Sequence, residues 1–472
     1  MIMNKIKILL LVLATALMQI GCLTPNKKEK PNVLFIIADD LRPELGCYNN
    51  QLIHSPNIDE LASSGMLFEK TYCNVPVCGA SRASLLTGLR PTRERFVDYG
   101  ARVDEDAPNI VTLPKYFMQN GYKAISIGKV FHHLNDSPDS WSEEAFRVDN
   151  KPGLSWRNYI TKENIDLAAE NGGKGNSMEF PNVHDTAYYD GQTAKIAIDK
   201  LNELKKEGNP FFLAVGFLKP HLPFNAPEKY LKLYDSIDIS IPDNYYRPNG
   251  APDASMHKWY ELRAYLDIPK EGILDTALAT DLIRSYYACV SYTDNCIGQV
   301  MNELERLDLR KNTIVILIGD HGWNLGEHTL WAKHSQFNTS LHSPMIISVP
   351  DMKAGTTNTL SEFVDIYPTL CDLSGLEKPG HLQGNSLVPV LKDPNITIKE
   401  EAFSIYLNGE SVITTDYIYS EYRDDSINLG SMLYDMTKDP AQNTNVVDDN
   451  EYIDIVVELK NKLEKARIEY NY

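Results

Sequence analysis

Short apolar runs alternate with helical patterns over most of the chain. The apolar runs cover residues 33–37, 124–127, 211–217 and 314–318. Runs this short and this apolar are typical of strands buried on both faces, as in parallel sheets. Helical patterns lie between them, at residues 57–64, 113–120, 185–206 and 281–307. The alternation of strand and helix predicts an α/β sandwich.

Each predicted strand is followed at once by polar residues. They are Asp39 and Asp40 after the first strand, Lys129 and His132 after the second, His221 after the third, and Asp320 and His321 after the fourth. Ligands of parallel sheets gather outside the carboxyl ends of the strands, so we expect these side chains to converge on one edge. Carboxylates from two strand ends suit Ca²⁺ or Mg²⁺ better than zinc. An Asp-Asp pair alone is more often a turn or a helix cap.

A thiol and an arginine lie four residues apart in the segment 78–88. The run 82–86 predicts the start of a helix, and Ser81 is a residue type well suited to capping it. This places Cys78 just before a helix N-terminus, where free N–H groups and the helix dipole favour an anion. Arg82 can reach the same anion. A buried cysteine beside a helix cap is the alternative interpretation.

The pattern changes in the second half of the chain. Residues 225–276 are rich in Pro and Tyr with little periodicity, so we expect a long loop region that forms a wall of the site. Residues 363–370 predict an amphipathic helix. Short strands are predicted at 402–406, 410–414, 417–422 and 432–436, followed by a helix over 451–470. We therefore expect a small antiparallel sheet with one helix at the C-terminus.

The composition limits the classes of ligand. The chain has 472 residues and a net charge of −18, which argues against binding of nucleic acid or of long polyanions in general. An anionic substrate would need a local basic pocket. The seven cysteines show neither zinc-finger spacing nor a Cys-x-x-Cys motif, so no disulfide framework is predicted.

The N-terminus predicts export. Lys5 and Lys7 precede an apolar run at 8–16 that is too short to span a membrane, and residues 19–22 resemble a bacterial lipobox ending in Cys22. We interpret 1–22 as a lipoprotein-type signal peptide, with possible lipid on Cys22, and 23–30 as a polar tether. The protein would then be periplasmic or anchored to the outer membrane through that lipid alone. An ordinary signal peptide is the alternative.

The segment Cys78-Gly79-Ala80-Ser81-Arg82, followed by Leu86-Thr87-Gly88, resembles the signature of the type I sulfatases. The resemblance implies an alkaline-phosphatase-like sandwich with a large mixed, mostly parallel sheet. It also implies that a sulfatase-maturating enzyme oxidises Cys78 to formylglycine. In that family the aldehyde hydrate attacks sulfur with one hydroxyl, and the other hydroxyl then expels sulfate. Ala80 stands where many members have Pro, which leaves the maturation enzyme open.

Further segments resemble the iduronate-2-sulfatases within that family. They are residues 38–42, 128–132, 219–224, 319–323, 325–328 and 331–333, and the similarity extends with gaps from about residue 31 to 375. The resemblance implies a catalytic domain over 31–380 and a C-terminal α+β subdomain over 381–472. It also implies exo cleavage of a terminal 2-O-sulfated uronic acid in a heparan- or dermatan-type oligosaccharide. Residues 93–102, with the loop region 225–276, would wall the sugar site.

Roles for single residues follow from the same resemblance. One Ca²⁺ would be held by Asp39, Asp40, Cys78, Asp320 and His321, and the sulfate would be surrounded by Arg82, Lys129 and Lys333. His221 would be the general acid for the leaving alcohol and His132 the partner of the hydrate, and these two roles are exchangeable. The alternatives are a sulfatase for another sulfated glycan or small ester, a phosphatase or phosphonate monoester hydrolase of the same fold, and a non-catalytic glycan-binding lipoprotein.

Overall fold

The computed structural model describes residues 30–148 and 157–471. The predicted signal peptide, the predicted lipid site at Cys22 and the predicted tether up to residue 29 lie outside the described residues. No helix within the described ranges is long and apolar enough to cross a membrane.

The strands form one large sheet and several small ones. In chain order they are β1 (Asn32–Ala38), β2 (Met66–Phe68), β3 (Thr71–Tyr72), β4 (Lys123–Gly128), β5 (Met178–Glu179), β6 (Phe211–Phe217), β7 (Phe224–Asn225), β8 (Thr313–Gly319), β9 (Asn324–Leu325), β10 (Trp331–Ala332), β11 (Met345–Ser348), β12 (Gly355–Thr357), β13 (Ser361–Glu362), β14 (Ala402–Tyr406), β15 (Gly409–Ile413), β16 (Tyr417–Asp424) and β17 (Ile427–Asp435). The large sheet has seven strands in the order β12-β2-β11-β8-β1-β6-β4.

The centre of the large sheet is parallel. Strands β8, β1, β6 and β4 run in the same direction, whereas β11 is antiparallel to both of its neighbours. All of these four strands carry fully or almost fully buried residues, as their apolar sequences predict. Their carboxyl ends therefore meet at one edge of the sheet, and the predicted mixed, mostly parallel sheet is confirmed.

Helices cover both faces of this sheet, and the last helix packs instead on the smaller C-terminal sheet. They are α1 (Pro56–Ser63), α2 (Cys78–Thr87), α3 (Val103–Asp106), α4 (Leu113–Gln119), α5 (Lys162–Glu170), α6 (Tyr189–Glu207), α7 (Glu228–Leu231), α8 (Tyr260–Arg263), α9 (Thr276–Arg306), α10 (Asn338–Leu341), α11 (Ile366–Leu373), α12 (Val388–Lys392) and α13 (Ile453–Tyr470). Alternate residues of β1 point to opposite faces, so Leu34 packs with α6 and α9 in one core and Phe35 packs with α2 and α4 in the other.

The C-terminal strands β14 to β17 form a four-stranded antiparallel sheet, as predicted. Helix α13 packs on one face of this sheet through Leu459 and Leu463. The opposite face joins the main core, because Ala402 and Ile413 are buried among the side chains of the large sheet. The domain boundary between residues 380 and 381 stays a prediction.

Candidate active site

Cys78 is the first residue of helix α2, at the end of an extended segment that includes Val77. The predicted helix start was wrong. The helix begins at Cys78, since the Ser81 amide already donates to the Val77 carbonyl. Ser81 does not cap the helix; its hydroxyl donates to the backbone carbonyl of Asp320 instead. The thiol is consequently held in the first turn of the helix, next to the end of β8.

Carboxylates from two strand ends surround the thiol. Asp39 and Asp40 follow β1, and Asp320 with His321 follows β8. The Sγ of Cys78 lies 3.2 Å from Nε2 of His321, and Oδ1 of Asp40 lies 3.4 Å from the same nitrogen. Ligand atoms of Asp39, Cys78, Asp320 and His321 lie within 4.8 Å of one another. The structure thus brings all the predicted metal ligands together.

Two predicted sulfate-binding cations lie behind this cluster. Nε of Arg82 donates to Oδ2 of Asp320 at 2.8 Å, and its other nitrogens contact Asp39 and the backbone carbonyls of Lys129 and Val130. The ammonium of Lys129 is bonded to Asp39. Because the guanidinium of Arg82 is buried and engaged in this way, it holds the carboxylates in place. The predicted contact of Arg82 and Lys129 with sulfate stays a prediction.

Lys333 and His221 face the open side of the thiol, and a carboxylate joins them. Nζ of Lys333 lies 3.0 Å from Oδ1 of Asp40 and 2.9 Å from Oε2 of Glu261. Nε2 of His221 lies 3.0 Å from Oε1 of the same glutamate. Nδ1 of His221 faces the backbone carbonyl of Leu222 at 2.6 Å. Glu261 therefore fixes the positions of both a cation and an imidazole beside Cys78.

Burial and charge shift the titration of these groups. Burial would raise the pKa of Asp39, but Lys129, His221 and Arg82 hold it well below its usual value. Burial raises the pKa of Asp40 to about 7; the nearby Asp39 adds to this rise and Lys333 opposes it. Burial, followed by the charge of Asp39, raises the pKa of the Cys78 thiol well above its usual value. An unmodified Cys78 would therefore be a poor nucleophile.

His132 follows β4 and lines the same cavity. Burial, and then the charge of Lys129, lowers the pKa of His132, so its imidazole is neutral. Its Nδ1 is buried and has no hydrogen-bond partner among the described residues. Its ring contacts His133 edge-on, with ring centroids 4.8 Å apart. A neutral imidazole with an open nitrogen is able to exchange a proton with a group bound in the cavity.

The cavity in front of Cys78 is a cleft of about 860 Å³. His132, His221, Glu261 and Lys333 line it, and Tyr99 and several residues of the region 225–276 form its walls. From the segment 93–102, Tyr99 lines the cleft, whereas the arginines at the two ends of the segment have partners elsewhere. Arg93 pairs with Glu410, and Arg102 pairs with Asp104 and Asn135. The C-terminal sheet supplies further wall residues, among them Tyr406 and Tyr422.

The donor set fits a hard divalent cation. Three buried carboxylates and one imidazole converge beside residue 78, and oxygen-rich sets of this kind suit Ca²⁺ or Mg²⁺. Burial is the main reason that the pKa of Asp40 is raised, and a cation bound beside this carboxylate would favour its charged form. Asp39, Asp40, Asp320 and His321, together with the side chain at position 78, would hold the ion.

Comparison with known proteins identifies the family of the chain. A family model described as sulfatase matches residues 31–376. The chain belongs to the sulfatase family. A second model, described as N-sulphoglucosamine sulphohydrolase, C-terminal, matches residues 326–469. Human iduronate 2-sulfatase is 34% identical over 409 residues, which covers 78% of this chain and 74% of the human protein.

Solved sulfatases share the fold. One structure, described as a complex with its substrate D-glucosamine-2-N,6-O-disulfate, superposes with a TM-score of 0.75 at 23% identity, covering 94% of this chain and 98% of the other. The phosphonate monoester hydrolase of Agrobacterium radiobacter superposes with a TM-score of 0.73 at 22% identity, covering 93% and 96%. These likenesses confirm the predicted alkaline-phosphatase-like fold.

Some site residues escaped the sequence-based prediction. Glu261 lies on the short helix α8, in a region without periodicity or motif. Arg157 and Lys174 line the same cleft and lie between predicted elements. The only available signal was the prediction that residues 225–276 form a wall, and that signal covers Glu261 without singling it out.

Proposed function

We propose that this protein is a formylglycine-dependent sulfatase that removes the 2-O-sulfate from a terminal uronic acid of a glycosaminoglycan-type oligosaccharide. Family membership supports the reaction class. The placement of Cys78 is the observation that supports the mechanism, because the residue stands between the carboxylate cluster and the open cleft. Formylglycine at position 78 would, as a hydrate, supply one hydroxyl to attack sulfur and a second to expel sulfate.

The residues around the nucleophile provide charge and a proton. Lys333 lines the cleft together with Cys78. It would contact the sulfate oxygens, where a fixed cation stabilises charge that develops in the transition state. His221 would donate a proton to the departing alcohol, because its Nε2 points to the same side of the cleft and is steadied by Glu261. His132 would exchange a proton with the hydrate. A divalent ion, which we propose is Ca²⁺, would polarise the hydrate and the sulfate oxygens when bound.

The identity of the sugar is supported by sequence likeness and by the chemistry of the cleft. The human relative at 34% identity is named iduronate 2-sulfatase. The cleft is basic although the whole chain carries a charge of −18, since Glu261 is the one carboxylate among its described lining residues. A basic cleft in an acidic protein favours a short anionic chain end over a long polyanion. The predicted export signal would bring the enzyme to extracellular glycans.

Release of sulfate from defined disaccharides tests this proposal. The substrates are a 2-O-sulfated uronate disaccharide and its isomers with 6-O- or N-sulfated glucosamine, each at matched concentration. We expect the highest kcat/KM on the 2-O-sulfated isomer. Preference for a glucosamine sulfate would refute the 2-O specificity and leave the sulfatase activity intact. The absence of turnover on every sulfate ester by metal-loaded, formylglycine-containing protein would refute the sulfatase itself.

Phosphonate ester hydrolysis is the second candidate function. The likeness to a phosphonate monoester hydrolase over 93% of this chain favours including it in the assay. Aryl phosphonate monoesters and aryl sulfates of the same leaving group provide a matched pair. A higher kcat/KM on the phosphonate would favour this second function.

A further inference from the structure

A second cationic position lies in the cleft, separate from the cations of the reaction centre. Arg157 and Lys174 both line the cleft that opens in front of Cys78. Neither residue belongs to the carboxylate cluster around Cys78. The mechanism proposed above makes no use of them.

Both cations are organised around one buried aromatic side chain. Tyr265 is 2% exposed, and Nζ of Lys174 lies 5.9 Å from its ring centroid. Burial raises the pKa of the Tyr265 hydroxyl well above its usual value, and a hydrogen bond with Arg157 opposes that rise. Tyr265 therefore gives the two cations a common, rigid support on the cleft wall.

The charge of Lys174 is not balanced by a carboxylate. Burial lowers the pKa of Lys174, and repulsion by Arg157 lowers it further. Glu261 is the one acid that acts against this, but its carboxylate is bound by Lys333 and His221. No carboxylate in the described part of the chain lies within ion-pair distance of the Lys174 ammonium. Two cations held close together in a protein with a net charge of −18 indicate an anionic ligand.

We propose that Arg157 and Lys174 form a second anion-binding site, which takes another anionic group of the same sugar chain whose sulfate ester reacts. This inference rests on the proposed sulfatase function. The group is a carboxylate or a further sulfate, since both present oxygens that a guanidinium and an ammonium bind by charge-assisted hydrogen bonds. Binding at this site would select substrates with two charges over simple sulfate esters.

The test compares substrates that differ only in the second charge. They are a 2-O-sulfated uronate disaccharide, its analogue with the carboxylate reduced to a hydroxymethyl group, the disaccharide with an added sulfate on the glucosamine, and an aryl sulfate with one charge. For Lys174→Gln we expect KM to rise about tenfold on the carboxylate-bearing disaccharide, as for loss of one charge-assisted contact, with kcat unchanged. The reduced analogue and the aryl sulfate should show no change.

Matched variants separate charge from structure. Lys174→Arg should retain the low KM, because it keeps the positive charge. Lys162→Gln removes the same charge from an exposed lysine that pairs with Asp166 on the surface, and it should have no effect. If the added sulfate and not the carboxylate carries the KM difference, the second site binds sulfate. An equal effect of Lys174→Gln on all four substrates would refute the second site.

A binding measurement distinguishes failure of this inference from failure of the proposed function. Calorimetry with Cys78→Ala protein reports affinity without turnover. We expect the uronate disaccharide to bind about tenfold more weakly when Lys174→Gln is added to that background, and the reduced analogue to bind equally in both. Equal affinities would refute the second site even where the wild-type enzyme releases sulfate. Lack of sulfate release with a persistent difference in affinity would refute the reaction alone.

Discussion

Replacing Glu261 by glutamine should slow the reaction without unfolding the protein. The carboxylate lies 3.0 Å from Nε2 of His221 and 2.9 Å from Nζ of Lys333, so it holds the two groups in a fixed relation beside Cys78. Glutamine keeps the size and one acceptor oxygen but removes the charge. Lys333 retains its ion pair with Asp40 at 3.0 Å. The substitution therefore weakens mainly the interaction that holds His221 in position.

The magnitude follows from the interactions that are weakened. Hydrogen bonds to charged groups contribute about 1.5–3 kcal/mol each. Glu261→Gln removes the charge from one such hydrogen bond, the bond to His221. A loss of about 1.5–3 kcal/mol of transition-state stabilisation corresponds to roughly a tenfold to hundredfold drop in kcat/KM. The free energy of unfolding should change by less than about 1 kcal/mol, because the volume is kept.

Steady-state kinetics of Glu261→Gln, together with urea denaturation, measure both quantities. Glu228→Gln is a matched control, because Glu228 lies in the same wall region and pairs with Lys232 on the surface. We expect the control to be unchanged in both assays. Wild-type kcat/KM in Glu261→Gln would refute the role of this carboxylate, and a parallel loss of stability and activity would show that its role is structural.

Three further substitutions test the metal site, the helix start and the C-terminal sheet. Asp320→Asn should lower the amount of divalent metal bound per protein molecule, measured by elemental analysis, and should reduce turnover by at least about 100-fold. Full metal content in this variant would contradict the prediction. Gly79→Ala should cost about 1–3 kcal/mol of unfolding free energy, because a Cβ would lie 2.3 Å from the Tyr99 carbonyl oxygen; an unchanged urea midpoint would refute it. Arg467→Ala should lower the free energy of unfolding by about 3 kcal/mol, since Nε of Arg467 lies 2.6 Å from the buried Glu410. The kcat of the folded protein should stay near the wild-type value. A loss of activity greater than the loss of folded protein would contradict this prediction.

The large sheet and the convergence of its polar ends could be predicted from the sequence. Strands such as Phe211–Phe217 and Thr313–Gly319 are buried on both faces, and that environment leaves an unbroken apolar run in the sequence. Parallel strands place the residues after each run at one edge, so Asp39 and Asp320 meet although 281 positions separate them. The local sequence pattern and the parallel topology together are sufficient to predict that these side chains converge.

The start of helix α2 shows where local preference fails. Serine is a good N-cap in general, but the Ser81 hydroxyl has a tertiary acceptor, the carbonyl of Asp320. Arg82 is likewise used by Asp320 and by backbone carbonyls after β4. A sequence pattern does not show which partner a side chain finds across the fold, so the cap at Ser81 was misassigned and the ion pair of Arg82 with Asp320 was not predicted.

The cleft wall was the least predictable part. Glu261 contacts Lys333 across 72 positions of sequence, and Lys174 reaches the cleft from a segment outside any regular element. Neither residue sits at a strand end or in a repeated pattern. Their positions depend on how irregular segments pack on the sheet edge, and such packing leaves no periodic signal.

The chemical state of residue 78 in active protein is the most direct test of the proposed mechanism. Peptide mass spectrometry of the Cys78 peptide, carried out on preparations whose specific activity differs, gives the fraction present as aldehyde. We expect the rate of sulfate release to rise in proportion to the formylglycine fraction and to vanish in Cys78→Ala, which should keep the wild-type circular dichroism spectrum. Full activity in a preparation that contains only the thiol at position 78 would contradict the mechanism.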